Sequence, residues 1–236
     1  MKIFKGKLIE IIQRTATIAS FRILPEERVD FLPGQFLQLI FDENNLSNKE
    51  LNKYLSFSAS PTKDYIEVTK RLSNSLFSQR LKGLKAGDSL TFKAPFGNCV
   101  LKDEYKKIAF LIGGIGITPI ISMIEYIMER KLDIDAVLFY SNRTEDDIAF
   151  RKELDDYQPK CCKLKIFYTV TDCQPKDNRC LAGHIDKSLL ESKIKDIQER
   201  IFFTFGPPGM VEAMKNICLG LNCTNENIKT ESFIGY

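Results

Sequence analysis

The chain has 236 residues, 44% hydrophobic and 28% charged, long enough for one large domain or two of roughly 100–150 residues each. Its net charge of +3 at pH 7 is too small to imply nucleic acid or an anionic membrane as the main partner, and a single histidine excludes a His-rich metal centre or a mechanism using two imidazoles. Seven cysteines, an odd number without zinc or iron–sulfur spacing, read as free thiols in a reducing cytoplasm.

Charges at Lys2, Lys5 and Lys7 stand where a secretion signal needs its apolar region, so no such signal is expected. The following hundred residues read as β, with apolar and β-branched runs at 7–12, 16–24, 36–41, 54–58, 65–70 and 89–92. Turn formers separate them: Leu32-Pro33-Gly34, Asn44-Asn45, Pro61-Thr62-Lys63-Asp64 and Ala86-Gly87-Asp88. One short helix is predicted at 78–84. This spacing suggests a small antiparallel barrel or sandwich.

After residue 102 the period changes. Strands predicted at 107–112, 136–140, 164–170, 201–205 and 227–233 alternate with helices at 117–128, 149–157, 186–197 and 210–219. That alternation predicts a parallel sheet with helices on both faces, and hence two domains, 1–102 and 103–236. The uncharged run 108–124 is shorter than the ~20 residues of a spanning helix. Gly113, Gly114, Gly116 and Pro119 interrupt it, so it reads as strand, turn and helix, with no integral membrane segment.

Two glycine turns carry the candidate chemistry. Gly113-Gly114-Ile115-Gly116-Ile117-Thr118-Pro119 joins a strand to a helix, where backbone N–H groups and the helix dipole favour a pyrophosphate; tight packing alone would also explain it. Gly206-Pro207-Pro208-Gly209-Met210 follows a later strand of the same sheet. Two such turns at the carboxyl ends of parallel strands can line one crevice.

Taken in order, the segments resemble the ferredoxin–NADP reductase superfamily, in which a flavin-binding barrel precedes a nicotinamide-binding α/β domain. The likeness spans nearly the whole chain. It runs through Leu32-Pro33-Gly34-Gln35-Phe36, Leu55-Ser56-Phe57-Ser58-Ala59-Ser60-Pro61, Lys70-Arg71, Ser78, Ala86-Gly87-Asp88 and Ala94-Pro95-Phe96-Gly97. Both glycine turns, Asn142-Arg143-Thr144 and the ending Glu231-Ser232-Phe233-Ile234-Gly235-Tyr236 continue it.

The resemblance implies FAD, preferred over FMN, in the first domain. Where the family has Arg-x-Tyr-Ser, this chain has Lys53-Tyr54-Leu55-Ser56. Lys53 then places a point charge on a flavin phosphate, and Leu55 takes the place of the stacking aromatic unless Tyr54 or Phe57 swings in. Ser56 falls near the flavin N5. Phe57, Ser58, Lys70, Phe77 and Ser78 complete the implied flavin site, Ser78 as a phosphate contact or a plain helix cap. Asn74-Ser75 stands where the family has Gly-Gly.

In the second domain the resemblance assigns Gly113, Gly114, Gly116, Ile117, Thr118 and Pro119 to the nicotinamide nucleotide, with Thr118 beside the carboxamide. Gly206, Pro207, Pro208 and Met210 form the facing turn. Arg143 reaches the phosphates or ribose, or is a solvated surface residue. Asp172 would repel a 2′-phosphate and accept a bond from a 2′-hydroxyl, which favours NADH; Lys176 and Arg179 nearby could reverse this toward NADPH. Phe205 stands where relatives carry Cys, and either narrows the pocket or packs in the core. Glu231, Phe233 and Tyr236 resemble the family's ending, which closes over the site.

The implied reaction is hydride transfer from NAD(P)H to flavin, with Ser56, Thr118 and Glu231 nearest the reacting atoms. Electrons then pass to a separate acceptor, such as a ferredoxin-like iron–sulfur protein or a small molecule. Two alternatives stand beside it: an electron-transfer subunit of an iron–sulfur complex, and a flavin-binding scaffold without activity.

Overall fold

The computed structural model describes residues 2–233. By internal contacts the chain forms two units. One runs through Leu101 and takes in Thr118–Arg130; the other holds Lys102–Ile117 and the described chain from Lys131 onward.

In the first unit lie strands β1 (Lys2–Gln13), β2 (Ile18–Pro25), β3 (Phe36–Ile40), β4 (Asn52–Ser56), β5 (Ile66–Arg71) and β6 (Ser89–Phe96), with helix α1 (Leu76–Lys82). They pair antiparallel in the order β4-β3-β6-β1-β2-β5. A bridge between Phe57 and Val68, and the Ser58 N–H donating to the Glu67 carbonyl at 2.8 Å, join the two ends into a barrel. Alternation builds its core: in β1, Phe4, Gly6 and Leu8 are buried between exposed neighbours. They meet Phe21, Leu37, Leu39, Phe77 and Phe92 inside. A β-bulge between Leu8 and Glu10 then shifts the register against β2.

Helix α1 begins earlier than the predicted 78–84 because Ser75, not Ser78, is its N-cap, accepting from the Ser78 N–H. Beside the barrel wall, the buried Glu67 carboxylate accepts from Arg14 at 3.2 Å, Arg22 at 2.9 Å and Ser58 at 3.0 Å. A buried charge needs this many donors to be tolerated.

The second sheet comprises β7 (Lys107–Gly113), β8 (Asp135–Asn142), β9 (Leu164–Val170), β10 (Cys180–Ala182), β11 (Ile201–Gly206) and β12 (Ile228–Ser232). The helices that follow its strands are α2 (Ile117–Glu129), α3 (Arg151–Tyr157), α4 (Lys187–Lys193) and α5 (Pro208–Gly220). Every pairing is parallel, in the order β10-β9-β8-β7-β11-β12. The chain therefore starts at β7, steps outward to β10, and returns to β11 and β12 on the other side of β7. That reversal is a topological switch point between β7 and β11, where open α/β sheets hold ligands.

Strand β10 was not predicted, since three residues carry no period. Helix α4 is shorter than the predicted 186–197: Asp186 caps it by accepting from the Leu189 N–H at 2.7 Å, and Ile194 is already extended. Helix α2 is counted with the barrel. Its Glu125 accepts from the Ser60 N–H at 2.9 Å, and its Glu129 pairs with Lys63 and Thr62. The uncharged run is buried along β7 and the first turns of α2, and no described helix is long and apolar enough to cross a membrane.

Candidate functional site

The barrel brings three cations together. Burial first, then the neighbouring Lys53 and Arg71, push the Lys70 ammonium below its ordinary range. Lys53 and Lys70 are both half-buried. The corner thus concentrates positive charge on a partly buried surface. At the start of α1, Ser73, Ser75 and Ser78 hydroxyls lie 3.1–3.2 Å from one another, and Ser78 is fully buried.

The flavin-signature strand β4 divides its residues sharply. Leu55 belongs to the barrel core, and Ser56 is buried opposite Phe36 in β3. Tyr54 points outward at 58% exposure, edge-on to Phe36 and Phe96 with centroids 5.6 and 5.3 Å away. An exposed aromatic thus sits one residue before the position where the family motif has one. Phe57 is stacked on Phe31 at 3.8 Å inside the core, which leaves it no freedom to swing out. The Ser58 hydroxyl is engaged by Glu67 and Thr69, and the Phe77 ring lies in the core against Phe41. These three offer a ligand backbone atoms only.

The second sheet assembles its site from backbone. At the switch point a Cβ on Gly206 would stand 3.3 Å from the Gly113 backbone, so the two glycine turns touch. A Cβ on Gly116 would collide with the Phe205 carbonyl oxygen, which makes that glycine a packing requirement. Gly114 differs: its φ is +51°, and a Cβ there would meet nothing within 4 Å. It is the glycine with open space in front of it. Gly114–Gly116 forms a 3₁₀ turn running directly into α2, where Ile117, Thr118 and Pro119 are buried. Across the crevice Pro207 and Pro208 start α5, and the Pro207 carbonyl accepts from the Met210 and Val211 N–H groups at 3.0 Å.

Phe205 is fully buried, with Phe203 and Phe233 rings 6.0 and 6.4 Å from its own. Its side chain packs in the core. Phe233 donates its N–H to the Gly206 carbonyl at 3.0 Å, which brings the chain's last described residue to the facing turn; Tyr236 lies outside the described residues. Glu231 is paired in register with Phe205, and burial pushes its carboxyl up to about 7.

On the other flank of β7, the Asp172 N–H donates to the Arg143 carbonyl at 2.8 Å, so these two exposed residues share one edge. Arg179 does not join them. Strand β10 pairs Cys180 with Tyr168, which sets Arg179 well below the end of β9, and its guanidinium is held by Asp177 at 2.7 Å and Asp155 at 2.9 Å. The Lys176 N–H is held by Glu145 at 3.2 Å.

An oxidoreductase FAD-binding domain family matches residues 6–101, and an oxidoreductase NAD-binding domain family matches residues 110–216. The flavohemoprotein of Oceanobacillus iheyensis is 25% identical over 96% of this chain and 58% of its own length. NADH-cytochrome b5 reductase 2 of Meyerozyma guilliermondii is 33% identical over 72% of this chain and 59% of its own. The glycine betaine monooxygenase reductase subunit of Chromohalobacter salexigens is 27% identical over 96% and 63%. The chain thus spans about three-fifths of the length of these relatives.

Among solved structures, the FAD/NAD-binding domain of a Vibrio cholerae nitric oxide dioxygenase superposes with a TM-score of 0.85 at 18% identity, covering 98% of each chain. A Neisseria gonorrhoeae ferredoxin NADP+ reductase with bound FAD and NADP gives 0.82 at 20%, covering 98% of this chain and 99% of the other. These likenesses establish the fold. With both family domains present in this order, the chain carries an oxidoreductase FAD-binding domain followed by an oxidoreductase NAD-binding domain, in the fold of a ferredoxin NADP+ reductase.

Proposed function

We propose that the chain is an NAD(P)H-dependent flavoprotein reductase that prefers NADH and delivers electrons to a separate acceptor. The observation that carries this reading is the contact between the two glycine turns at the sheet's switch point, in a chain whose first half is a barrel of FAD-binding type.

The donor set in the barrel fits an FAD diphosphate. The burial and like charge that disfavour the protonated Lys70 are offset by an anion placed among Lys53, Lys70 and Arg71. In the sheet, the open space before Gly114 suits the close approach of a dinucleotide pyrophosphate to backbone N–H groups. When bound, FAD supplies the hydride acceptor and the store from which electrons leave.

The chain's own residues supply position and protons. Lys53 and Lys70 hold phosphate, while Phe57, Ser58 and Phe77 shape the flavin cleft through their backbone. Ser56 would contribute its hydroxyl to holding a bound flavin, and Thr118 its hydroxyl to holding the nicotinamide. Glu231, with its carboxyl near neutrality, holds or releases a proton at its side-chain oxygen. Phe233 stands beside the facing glycine turn, and Asp172 with Arg143 selects the unphosphorylated ribose.

The acceptor is proposed to be another protein. The C. salexigens relative is named a reductase subunit, and a Burkholderia cepacia relative is named the electron transfer component of a 2-halobenzoate 1,2-dioxygenase. Those names equally favour the reading of this chain as an electron-transfer subunit. All seven cysteines are free, which supports placing the chain in a reducing cytoplasm.

Purified protein should be yellow, and anaerobic NADH should bleach its flavin band. A colourless protein that binds no added FAD would overturn the reading. Stoichiometric co-purification with an iron–sulfur protein would favour the subunit reading.

A further inference from the structure

Strand β8 ends on Asn142, which is 6% exposed, and neither its Nδ2 nor its Oδ1 has a hydrogen-bond partner among the described residues. A buried primary amide without a partner forfeits its hydration and gains nothing back, so it lowers the stability of the fold. The Thr169, Thr204 and Ser122 hydroxyls are also buried without partners among the described residues, but each lies inside a strand or helix rather than at a strand's carboxyl end. Asn142 leaves a donor and an acceptor orphaned together, at a strand end.

Its place in the register gives this a meaning. The preceding residue, Ser141, is paired with Gly113, so Asn142 lies one step beyond the glycine that opens the first turn. Its backbone carbonyl is already committed, accepting from the Thr171 N–H at 3.1 Å. Only the side chain remains to be satisfied, on the carboxyl edge that carries both glycine turns, Arg143 and Asp172.

We infer that the Asn142 side-chain amide is a further binding residue for the nicotinamide dinucleotide, left unpaired until that ligand arrives. This rests on the proposed NAD(P)H-binding role. The orphaned pair also specifies the chemistry of its partner. A phosphate only accepts, so it would satisfy Nδ2 and strand Oδ1. A neutral group that both donates and accepts (the nicotinamide carboxamide, a sugar hydroxyl or the adenine edge) satisfies both atoms.

The test uses the flavin-loaded protein and its Asn142→Leu variant, whose side chain has a similar shape and no polar atoms. Titration calorimetry measures the affinity for NAD+ and for ADP-ribose, and thermal unfolding is followed without nucleotide. The expected result is NAD+ binding weakened by about tenfold or more, with a Tm equal to or above that of the parent. Equal losses for NAD+ and ADP-ribose assign the amide to the ADP-ribose half, a sugar hydroxyl or the adenine edge; a loss for NAD+ alone assigns it to the carboxamide. Affinity within twofold of the parent overturns the inference. A lower Tm in the Leu variant overturns it too, because the amide then serves the fold. Should the Leu variant not fold, Asn142→Ala is judged on affinity alone by the same threshold. A parent protein that binds no NAD+ would refute the proposed function itself, an outcome distinct from failure of the Asn142 assignment.

Discussion

In the barrel the candidate anion corner is made of side chains: the charges of Lys53, Lys70 and Arg71 gather at one place. At the carboxyl edge of the parallel sheet the candidate dinucleotide turn is made of backbone, packed so closely that Gly113 meets Gly206 and Gly116 meets Phe205. The two constructions fail in opposite ways. A side-chain site is emptied by removing atoms and leaves the fold standing, whereas a backbone site is blocked by adding atoms and takes the local fold with it. Loss of ligand and loss of stability should therefore separate at the side chains of the barrel corner and coincide at the closely packed glycines of the sheet.

The largest effect is expected at Gly116. Placing Val there drives its side chain into the Phe205 carbonyl, and neither strand end can retreat without opening the β7–β11 pair. The cost is about 3 kcal/mol or more, as for other overpacked sites. Thermal unfolding should show a large fall in Tm together with lost NADH binding. Gly114→Ala is the contrast, since its Cβ meets no neighbour and the cost is the left-handed backbone alone, about 1 kcal/mol. A Gly116 variant as stable as the parent would break the comparison.

The side-chain half is tested by Lys53→Ala. Equilibrium dialysis should show flavin affinity reduced by roughly 10–100-fold, the loss of one charge-assisted contact, with Tm of the flavin-free protein little changed. Unchanged flavin affinity would remove Lys53 from the site.

Much of this arrangement is written in local pattern, and its limits are physical. Alternation in β1 and the strand–helix rhythm after residue 102 depend on neighbours in sequence, and both predicted the observed layers. The start of α1 depended on which serine caps: Ser75 and Ser78 have the same chemistry, and only the backbone geometry separates them. Strand β4 shows the same limit. Its alternation does not say that Leu55 faces the core while Tyr54 stands exposed against Phe36 and Phe96. The orphaned Asn142 amide lies further still from the sequence, because hydrogen-bond satisfaction is decided by atoms from several strands.

Glu231 gives a smaller effect, on the sheet side. Burial raises its carboxyl from 4.5 to about 7, so the folded chain holds a proton that the unfolded chain releases near 4.5. Its stabilising contribution is complete below 4.5 and is lost as pH rises through about 7. Glu231→Gln should remove that slope: the Tm of the parent relative to the variant should fall between about pH 5 and about pH 8. The NADH-dependent reduction of flavin should likewise lose an inflection near neutrality. Parallel Tm profiles for parent and variant would show that Glu231 titrates as an ordinary surface carboxylate.

The smallest expected effect concerns a cation, Arg179, that sequence proximity alone sets beside Asp172. Lys176 and Arg179 lie within seven residues of it, close enough on paper to attract a 2′-phosphate. Parallel pairing removes Arg179 from that edge. Cys180 is level with Tyr168 and Ala182 with Val170, so Arg179 falls beside the middle of β9 while Asp172 lies beyond its end. The guanidinium is further committed to Asp177 and Asp155, and the Asp177 carboxyl is held well below the usual carboxylate range by Arg179. Asp172→Arg, which puts a cation on the edge itself, should shift the kcat/KM ratio from NADH toward NADPH by about tenfold, one charge reversal at an exposed position. Arg179→Ala should leave that ratio within twofold while lowering Tm only slightly, because an exposed ion pair is screened by solvent and contributes little. If Arg179→Ala moves the ratio as far as Asp172→Arg does, coenzyme choice is read from the whole 172–179 loop and the edge assignment of Asp172 fails.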